Sequence, residues 1–326
     1  MPTILFSAPY MVPFLDRFRP FFDQYELDLI IPEVDERLGE QQILEFAGDF
    51  DGTICGDDHY TPGVLNACTP RLKVISKWGT GIDSIDCEAA QKLGIEVYRT
   101  PNAFTLPVAD TVMGYILAFA RRQPWMDRSV KSGQWDKLPG RSLSETSLGV
   151  IGIGDIGKAV LLRAKAFGMQ LIGNDVIEID PEFIRNAGVE MTSLEELLAR
   201  ADFISINCDL NPTSLHLINH DTLSDMKSNA IVINTARGQV IDEAALISAL
   251  ESGVIAGAAL DVFEVEPISS NNHLLQMDNV MLAPHNANSS PAAWEHVHWN
   301  TLRNLLDGLG ISYRGDDVER MPEETY

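Results

Sequence analysis

Three observations predict an α/β protein built from two doubly wound parallel sheets. Short apolar runs alternate with longer helical patterns along the chain, which is typical of βαβ units. The length of 326 residues is enough for about two domains. A glycine-rich turn follows one apolar run and opens a helical pattern, an arrangement found where parallel sheets bind nucleotides.

The apolar runs give strand candidates in two groups. The first group lies at 3–8, 27–31, 52–55, 73–77 and 95–98. The second group lies at 147–151, 170–174, 203–207, 230–234, 256–260 and 280–283. Long apolar helices are predicted at 106–121 and 291–306. We therefore expect a discontinuous domain of residues 1–101 and 287–326, and a continuous domain of residues 102–286.

Charge and cysteine content narrow the classes of partner. The formal net charge of −23 disfavours nucleic acid, because phosphate contacts need a basic surface. No apolar run reaches the ~18 residues that span a bilayer, and the N-terminal segment is a poor signal peptide. The cysteines have no CxxC spacing, so reduced thiols and a cytoplasmic location are expected. His216 and His220 lack the glutamate of an HExxH motif, and no metal site is predicted.

The strongest local signal is a GxGxxG turn between an apolar run and a helix predicted at 158–167. Gly152 permits the tight turn, Gly154 lets a pyrophosphate approach the backbone, and Gly157 allows close packing of helix and strand. Asp155 and Ile156 lie at the positive helix end, where N–H groups bind phosphates.

The acid that follows the next strand indicates which dinucleotide binds. Asp175 lies 21 residues after Gly154, close to the ~20 expected for a ribose-binding acid. Its charge would repel a 2′-phosphate, which favours NAD over NADP. A P-loop competes for the same glycines, but Ala159 stands where that motif needs a hydroxyl for Mg²⁺. A P-loop nucleotide hydrolase is therefore disfavoured.

Polar side chains follow several strand candidates in the second half of the chain, where doubly wound folds place ligands. These residues are Arg237, Asp261, Glu266 and His285. An arginine, a carboxylate and a histidine that converge on a nicotinamide would form a hydride-transfer site for a 2-hydroxy or 2-keto acid. Taken alone, each residue has a structural explanation that is as good as the catalytic one: Arg237 a surface ion pair, Glu266 a turn, and His285 a structural histidine.

The sequence resembles the D-isomer-specific 2-hydroxyacid dehydrogenase family, in its phosphoglycerate dehydrogenase-like branch. The matching motifs, in the family's order, are KWGTGIDSID (77–86), GVIGIGDIG (149–157), NTARG (234–238), ALDVFEVEP (259–267) and APH (283–285). The resemblance implies a Rossmann NAD-binding domain and a flavodoxin-like substrate domain that flank a cleft. It also implies a homodimer built on the helix at 106–121.

The resemblance assigns a role to each matching residue. Arg237 resembles the arginine that grips the substrate carboxylate, His285 the general acid/base, and Glu266 the partner that fixes the imidazole tautomer. Asp261 resembles the acid that hydrogen-bonds the nicotinamide amide. The substrate-binding loop is expected at Lys77, Trp78, Gly79, Thr80 and Gly81, with backbone N–H groups of 79–81 on the carboxylate.

The implied activity is NAD-dependent hydride transfer on a small D-2-hydroxy acid or its 2-keto acid. Lys77 stands where phosphoglycerate-type members often carry arginine, so a phosphorylated substrate and an ordinary ion pair are both open. Trp78 replaces a residue that is commonly small, and 286–290 departs from the family pattern. An alternative of another class is an NAD(H)-sensing binding protein like the C-terminal-binding-protein corepressors, which resemble the same fold.

Overall fold

The computed structural model describes residues 1–313. The described residues form two compact units: Met1–Phe104 together with 290–313, and Thr105–Ser289. The boundaries expected from the sequence fall close to these, after 101 and 286. The end of the expected discontinuous domain, 314–326, lies outside the described residues.

A parallel sheet with strand order β2-β1-β3-β4-β5 forms the centre of the first unit. Its strands are β1 (Thr3–Phe6), β2 (Asp28–Ile30), β3 (Gly52–Cys55), β4 (Val74–Lys77) and β5 (Glu96–Tyr98). The helices between them are α1 (Leu15–Gln24), α2 (Glu40–Leu44), α3 (Pro62–Cys68) and α4 (Cys87–Lys92). β3 and β4 are buried along their whole length, as expected for central parallel strands covered on both faces.

The last helix of the described chain, α12, belongs to this first unit, although the seven helices of the second unit lie before it in sequence. It spans Pro291–Gly308, and Ser290 caps its first turn. Leu305 comes within 3.0 Å of the position that a Cβ on Gly52 would take, and Ser76 donates a hydrogen bond of 2.7 Å to the Thr301 carbonyl. The first unit is therefore discontinuous in sequence.

A second parallel sheet, with strand order β12-β11-β10-β9-β6-β7-β8, forms the centre of the other unit. Its strands are β6 (Ser147–Ile151), β7 (Gln170–Asn174), β8 (Glu190–Met191), β9 (Phe203–Ile206), β10 (Ile231–Asn234), β11 (Gly257–Leu260) and β12 (Val280–Leu282). The helices are α5 (Thr105–Arg121), α6 (Gln123–Lys131), α7 (Asp155–Ala166), α8 (Pro181–Ala187), α9 (Leu194–Arg200), α10 (His220–Ser224) and α11 (Glu243–Glu251). Side chains of α5, α7 and the sheet share one buried core on one face, and a second core covers the other face.

These two parallel-sheet α/β units confirm the predicted fold class. β8 is absent from the prediction, because two residues at a sheet edge leave no apolar run to detect. The helix predicted at 158–167 was misplaced at its start, since α7 begins at Asp155. Within residues 1–313, no helix has both the length and the apolar character to cross a membrane.

Candidate active site

The glycine turn after β6 is shaped by close contacts. Gly152 has a φ of +86°, and a Cβ on it would lie 2.7 Å from the Cys208 nitrogen. A Cβ on Gly157 would lie 2.1 Å from the Gly152 carbonyl oxygen. A Cβ on Gly154, by contrast, would meet no heavy atom of the described chain within 4 Å. The first and last glycines are thus needed by the fold, while the middle one borders open space that a ligand can fill.

The N-terminus of α7 points into the same turn. Gly154 is its N-cap residue and supplies no side chain to accept the first N–H groups. Asp155, Ile156 and Gly157 form the first turn, so their backbone N–H groups are the ones that a helix leaves without internal acceptors. Such N–H groups, together with the helix dipole, bind phosphate oxygens.

Asp175 lies directly after β7, beside the turn. Its Oδ2 accepts a hydrogen bond of 2.6 Å from the Ile153 N–H, and its Oδ1 accepts one of 3.1 Å from the Ile177 N–H. These bonds fix the carboxylate, and each oxygen keeps a lone pair for a ribose hydroxyl. Gly154 borders open space, the first turn of α7 has no side-chain cap, and the Asp175 carboxylate is held in place. Together these three features fit a bound dinucleotide.

The carboxyl ends of β10, β11 and β12 meet at one edge of the second sheet. Asn234, Leu260 and Leu282 are register partners across these strands. The residues that follow them include Arg237, Asp261, Glu266 and His285. The fold thus brings to one sheet edge four polar side chains that are spread over residues 237–285 of the sequence.

His285 and Glu266 form the best-defined pair at this edge. The imidazole Nδ1 lies 3.0 Å from Glu266 Oε2, and the two side chains are 22% and 13% exposed. The other carboxylate oxygen of Glu266 accepts a hydrogen bond of 2.9 Å from the Phe263 N–H. Glu266 is therefore held by the backbone, and it fixes the ring of His285 with Nδ1 turned toward it.

Arg237 lies in a loop that Asn234 shapes. The fully buried Asn234 side chain donates to the Arg237 carbonyl at 2.8 Å and accepts from the Ala236 N–H at 3.0 Å. Next to it, a Cβ on Gly238 would lie 1.9 Å from the Phe263 carbonyl carbon, so this loop packs directly on the segment that carries Glu266. The sequence analysis gave Asn234 no role, although a polar residue that ends an apolar strand was a signal for one.

Asp261 has a structural function that the sequence analysis missed. It is 1% exposed, and its two oxygens accept from the Asn286 and Ala287 N–H groups at 2.9 and 2.8 Å. The His285 N–H donates to the Asp261 carbonyl at 2.7 Å. Burial raises the pKa of Asp261, and the two backbone N–H groups oppose that rise. Asp261 thus anchors the segment that contains His285, whose φ is +50°.

The other predicted site residues lie in the first unit, at the end of β4. Gly79 has a φ of +121°, which favours glycine, and its carbonyl accepts from the Thr100 N–H at 2.8 Å. Within residues 1–313, the N–H groups of Gly79, Thr80 and Gly81 donate to no protein acceptor. This stretch, which we call the 79–81 loop, is thus able to hold an anion through its backbone.

Lys77 and Trp78, which precede the 79–81 loop, are both buried. Lys77 pairs with Asp57 at 3.1 Å, an interaction that spacing could not predict. Trp78 donates from Nε1 to Nδ1 of His298 at 2.9 Å. Burial lowers the pKa of His298 to about 4, so its ring is neutral near pH 7 and Nδ1 can accept this bond.

Comparison with known proteins identifies the family. Residues 113–287 match the model described as "D-isomer specific 2-hydroxyacid dehydrogenase, NAD binding domain". The D-3-phosphoglycerate dehydrogenase of Methanocaldococcus jannaschii is 42% identical over 264 residues, covering 80% of this chain and 50% of that protein. The glyoxylate reductase of Korarchaeum cryptofilum is 38% identical over 290 residues, covering 87% of this chain and 86% of that protein.

A solved structure extends the similarity to almost the whole chain. The D-lactate dehydrogenase of Aquifex aeolicus, crystallised with NAD and lactic acid, has a TM-score of 0.81 and 28% identity. The comparison covers 94% of this chain and 95% of that one. The matched family model is that of an NAD-binding domain, and the glycine turn with its open space fits a dinucleotide, so NAD is the cofactor. The chain belongs to the D-isomer-specific 2-hydroxyacid dehydrogenase family.

Proposed function

We propose that this protein is an NAD-dependent oxidoreductase that interconverts a small 2-keto acid and the corresponding D-2-hydroxy acid. The observation that carries the proposal is the His285–Glu266 pair, 3.0 Å apart at the sheet edge that also bears Arg237. In this proposal the unit 105–289 binds the cofactor, and the unit that begins at Met1 binds the substrate.

The acid/base role of His285 follows from its geometry. Because Glu266 engages Nδ1, Nε2 is the ring atom that exchanges a proton with the substrate oxygen. NAD supplies the hydride acceptor or, as NADH, the hydride donor for C2 of the substrate. In the reductive direction Nε2 gives its proton to the keto oxygen as C2 gains the hydride, and in the oxidative direction it removes the hydroxyl proton.

Binding of the substrate carboxylate is proposed for two groups. The planar guanidinium of Arg237 can pair with a carboxylate oxygen and polarise the adjacent carbonyl. The 79–81 loop offers backbone N–H groups to the same carboxylate. The contact of Asp261 with the nicotinamide amide stays a prediction, because its side chain is 1% exposed and both of its oxygens already accept backbone N–H groups.

An activity screen tests this proposal. The full chain is assayed with NADH and NADPH against a panel of 2-keto acids, and with NAD and NADP against D- and L-2-hydroxy acids. We expect turnover of at least one 2-keto acid with NADH and of D but not L hydroxy acids. Tight NADH binding without any turnover would contradict the proposal and favour the corepressor-like alternative, which the enzyme names of the relatives do not support.

Replacing Asp175 should change the choice of cofactor. In this proposal the Asp175 carboxylate, held beside the glycine turn by the Ile153 N–H, hydrogen-bonds the ribose, so Asp175→Ala removes the repulsion between its charge and the 2′-phosphate of NADPH. We expect the ratio of kcat/KM with NADPH to kcat/KM with NADH to rise about tenfold or more, measured with one keto acid. A wild-type protein that already prefers NADPH would show that the assignment of Asp175 is wrong.

We also propose a homodimer. The segment that follows the predicted contact helix at 106–121, around the end of α6, exposes apolar side chains, with Trp135 82% and Val130 51% exposed, and apolar surface of this kind favours association. We expect Trp135→Asp to lower the mass measured by light scattering from that of a dimer to that of a monomer. Leu215→Asp, an equal change at an exposed leucine of the same unit, should leave the dimer intact. Equal masses for wild type and Trp135→Asp would contradict this surface.

A cytoplasmic location is likewise a proposal. All four cysteines are free thiols, as expected in a reducing compartment.

A further inference from the structure

The end of β4 places one buried cation beside the 79–81 loop. Lys77 is the last residue of that strand and is 4% exposed. Its Nζ lies 3.7 Å from the position that a Cβ on Gly79 would take. A phosphate on the substrate would need a cation near this loop, and Lys77 is placed where it could serve.

The charge of Lys77 is already matched by carboxylates. Asp57 Oδ1 lies 3.1 Å from Nζ, and Nζ also donates to the Trp78 carbonyl at 3.2 Å. The next residue, Asp58, is completely buried and accepts from the Leu38 N–H at 2.8 Å and from the Ser7 hydroxyl. Burial raises the pKa of Asp58 to about 6, so this second carboxyl also carries negative charge at pH 7. Asp57 and Asp58 thus place two carboxylates in the segment that Lys77 interacts with.

Aromatic rings surround the rest of this region. The Trp78 ring stacks on Tyr10 with centroids 4.9 Å apart, and the Trp294 ring meets it edge-on at 6.0 Å. The Phe104 ring comes within 3.6 Å of the position of a Cβ on Gly79. Apolar walls lower the local dielectric and raise the cost of transferring a phosphate dianion from water.

A second cation contacts the loop from its other side. Arg99 is exposed and donates from Nη1 to the Thr80 carbonyl at 3.1 Å. In a trans peptide the carbonyl of Thr80 points opposite to the N–H of Gly81, which is one of the groups assigned to the carboxylate. Arg99 therefore stabilises the backbone of the loop from the side away from that N–H group.

We propose that the substrate is an unphosphorylated 2-keto or 2-hydroxy acid, whose C1 carboxylate is its only anionic group. The inference rests on the proposed function and names its substrate class. Lys77, neutralised by Asp57 beside an aromatic wall, selects against a second anion instead of binding one. The two groups of relatives differ in this respect, since one is named for a phosphorylated acid and the other for glyoxylate.

A matched pair of substrates tests the inference on the wild-type chain. Hydroxypyruvate and 3-phosphohydroxypyruvate share a carbon skeleton and differ by the phosphate alone. With NADH as hydride donor, we expect kcat/KM to be at least about tenfold higher for hydroxypyruvate. Equal values, or a preference for the phosphorylated compound, would overturn the inference and leave the proposed function standing. If no 2-keto acid of either kind is reduced, both fail.

Removing the charge of Asp57 tests whether the Lys77–Asp57 pair is the cause of the selection against a phosphate. Asp57→Asn leaves Lys77 without its carboxylate partner, so we expect kcat/KM for the phosphorylated compound to rise about tenfold relative to hydroxypyruvate. Asp16→Asn removes the same charge from a side chain of the same unit that is 97% exposed, and should leave this ratio unchanged. Equal shifts in both variants, or none in Asp57→Asn, would overturn the proposed role of the Lys77–Asp57 pair.

Discussion

Replacing His285 by alanine is expected to lower kcat by about 10²–10⁴-fold, the range typical of a general acid/base. The imidazole is held at 3.0 Å from Glu266 in a segment anchored by Asp261, so its function depends on a fixed position. The loss should appear in kcat, because proton transfer belongs to the chemical step. Steady-state rates with NADH and the best keto acid of the screen measure it.

The affinity for NADH separates a chemical loss from a folding defect. NADH fluorescence titration should give wild-type binding for His285→Ala, because the glycine turn and Asp175 lie on other strands. Glu266→Gln is a milder variant for comparison with His285→Ala, since glutamine keeps the size of the side chain and loses its charge. We expect Glu266→Gln to reduce kcat less than His285→Ala does. Unchanged turnover in His285→Ala would refute its assignment as the proton donor.

The second large effect is expected at Arg237. Hydrogen bonds to charged groups contribute about 1.5–3 kcal/mol each, so loss of a two-pronged contact should reduce kcat/KM by about 10²–10⁴-fold. Within its loop, Arg237 donates from Nη1 to the Ala236 carbonyl at 2.8 Å. We expect Arg237→Ala to fail in substrate binding.

Arg237→Lys distinguishes charge from geometry. Lysine keeps the charge but lacks the planar fork, so we expect only partial recovery of kcat/KM over the alanine variant. The affinity for NADH should be unaffected in both variants. A kcat/KM in Arg237→Ala within threefold of wild type would show that the substrate carboxylate is held elsewhere.

Much of the fold follows from the sequence for an identifiable reason. Central parallel strands are buried on both faces and therefore appear as continuous apolar runs, as β6 and β10 do. The glycine turn was recognisable because steric demands at Gly152 and Gly157 allow no other residue. The start of α7 was missed because a glycine in the first turn looks like a continuation of the loop.

The candidate site could be predicted only in part. Arg237, Glu266 and His285 follow strands that are neighbours in the sheet, and pattern together with the family motifs pointed to them. The pairing of Lys77 with Asp57 and the anchoring function of Asp261 depend on contacts between segments far apart in sequence. Such contacts follow from three-dimensional packing, so they produce no characteristic pattern of residue spacing in the sequence.

Isotope transfer tests the central claim most directly. NADH that carries deuterium at the transferred position of C4 is incubated with the keto acid that the screen identifies, and the product is isolated. We predict one deuterium on C2 of a 2-hydroxy acid with the D configuration, and none at C2 of the product formed with unlabelled NADH in D₂O. A product of the L configuration, or deuterium at C2 that comes from the solvent, would contradict hydride transfer at this site.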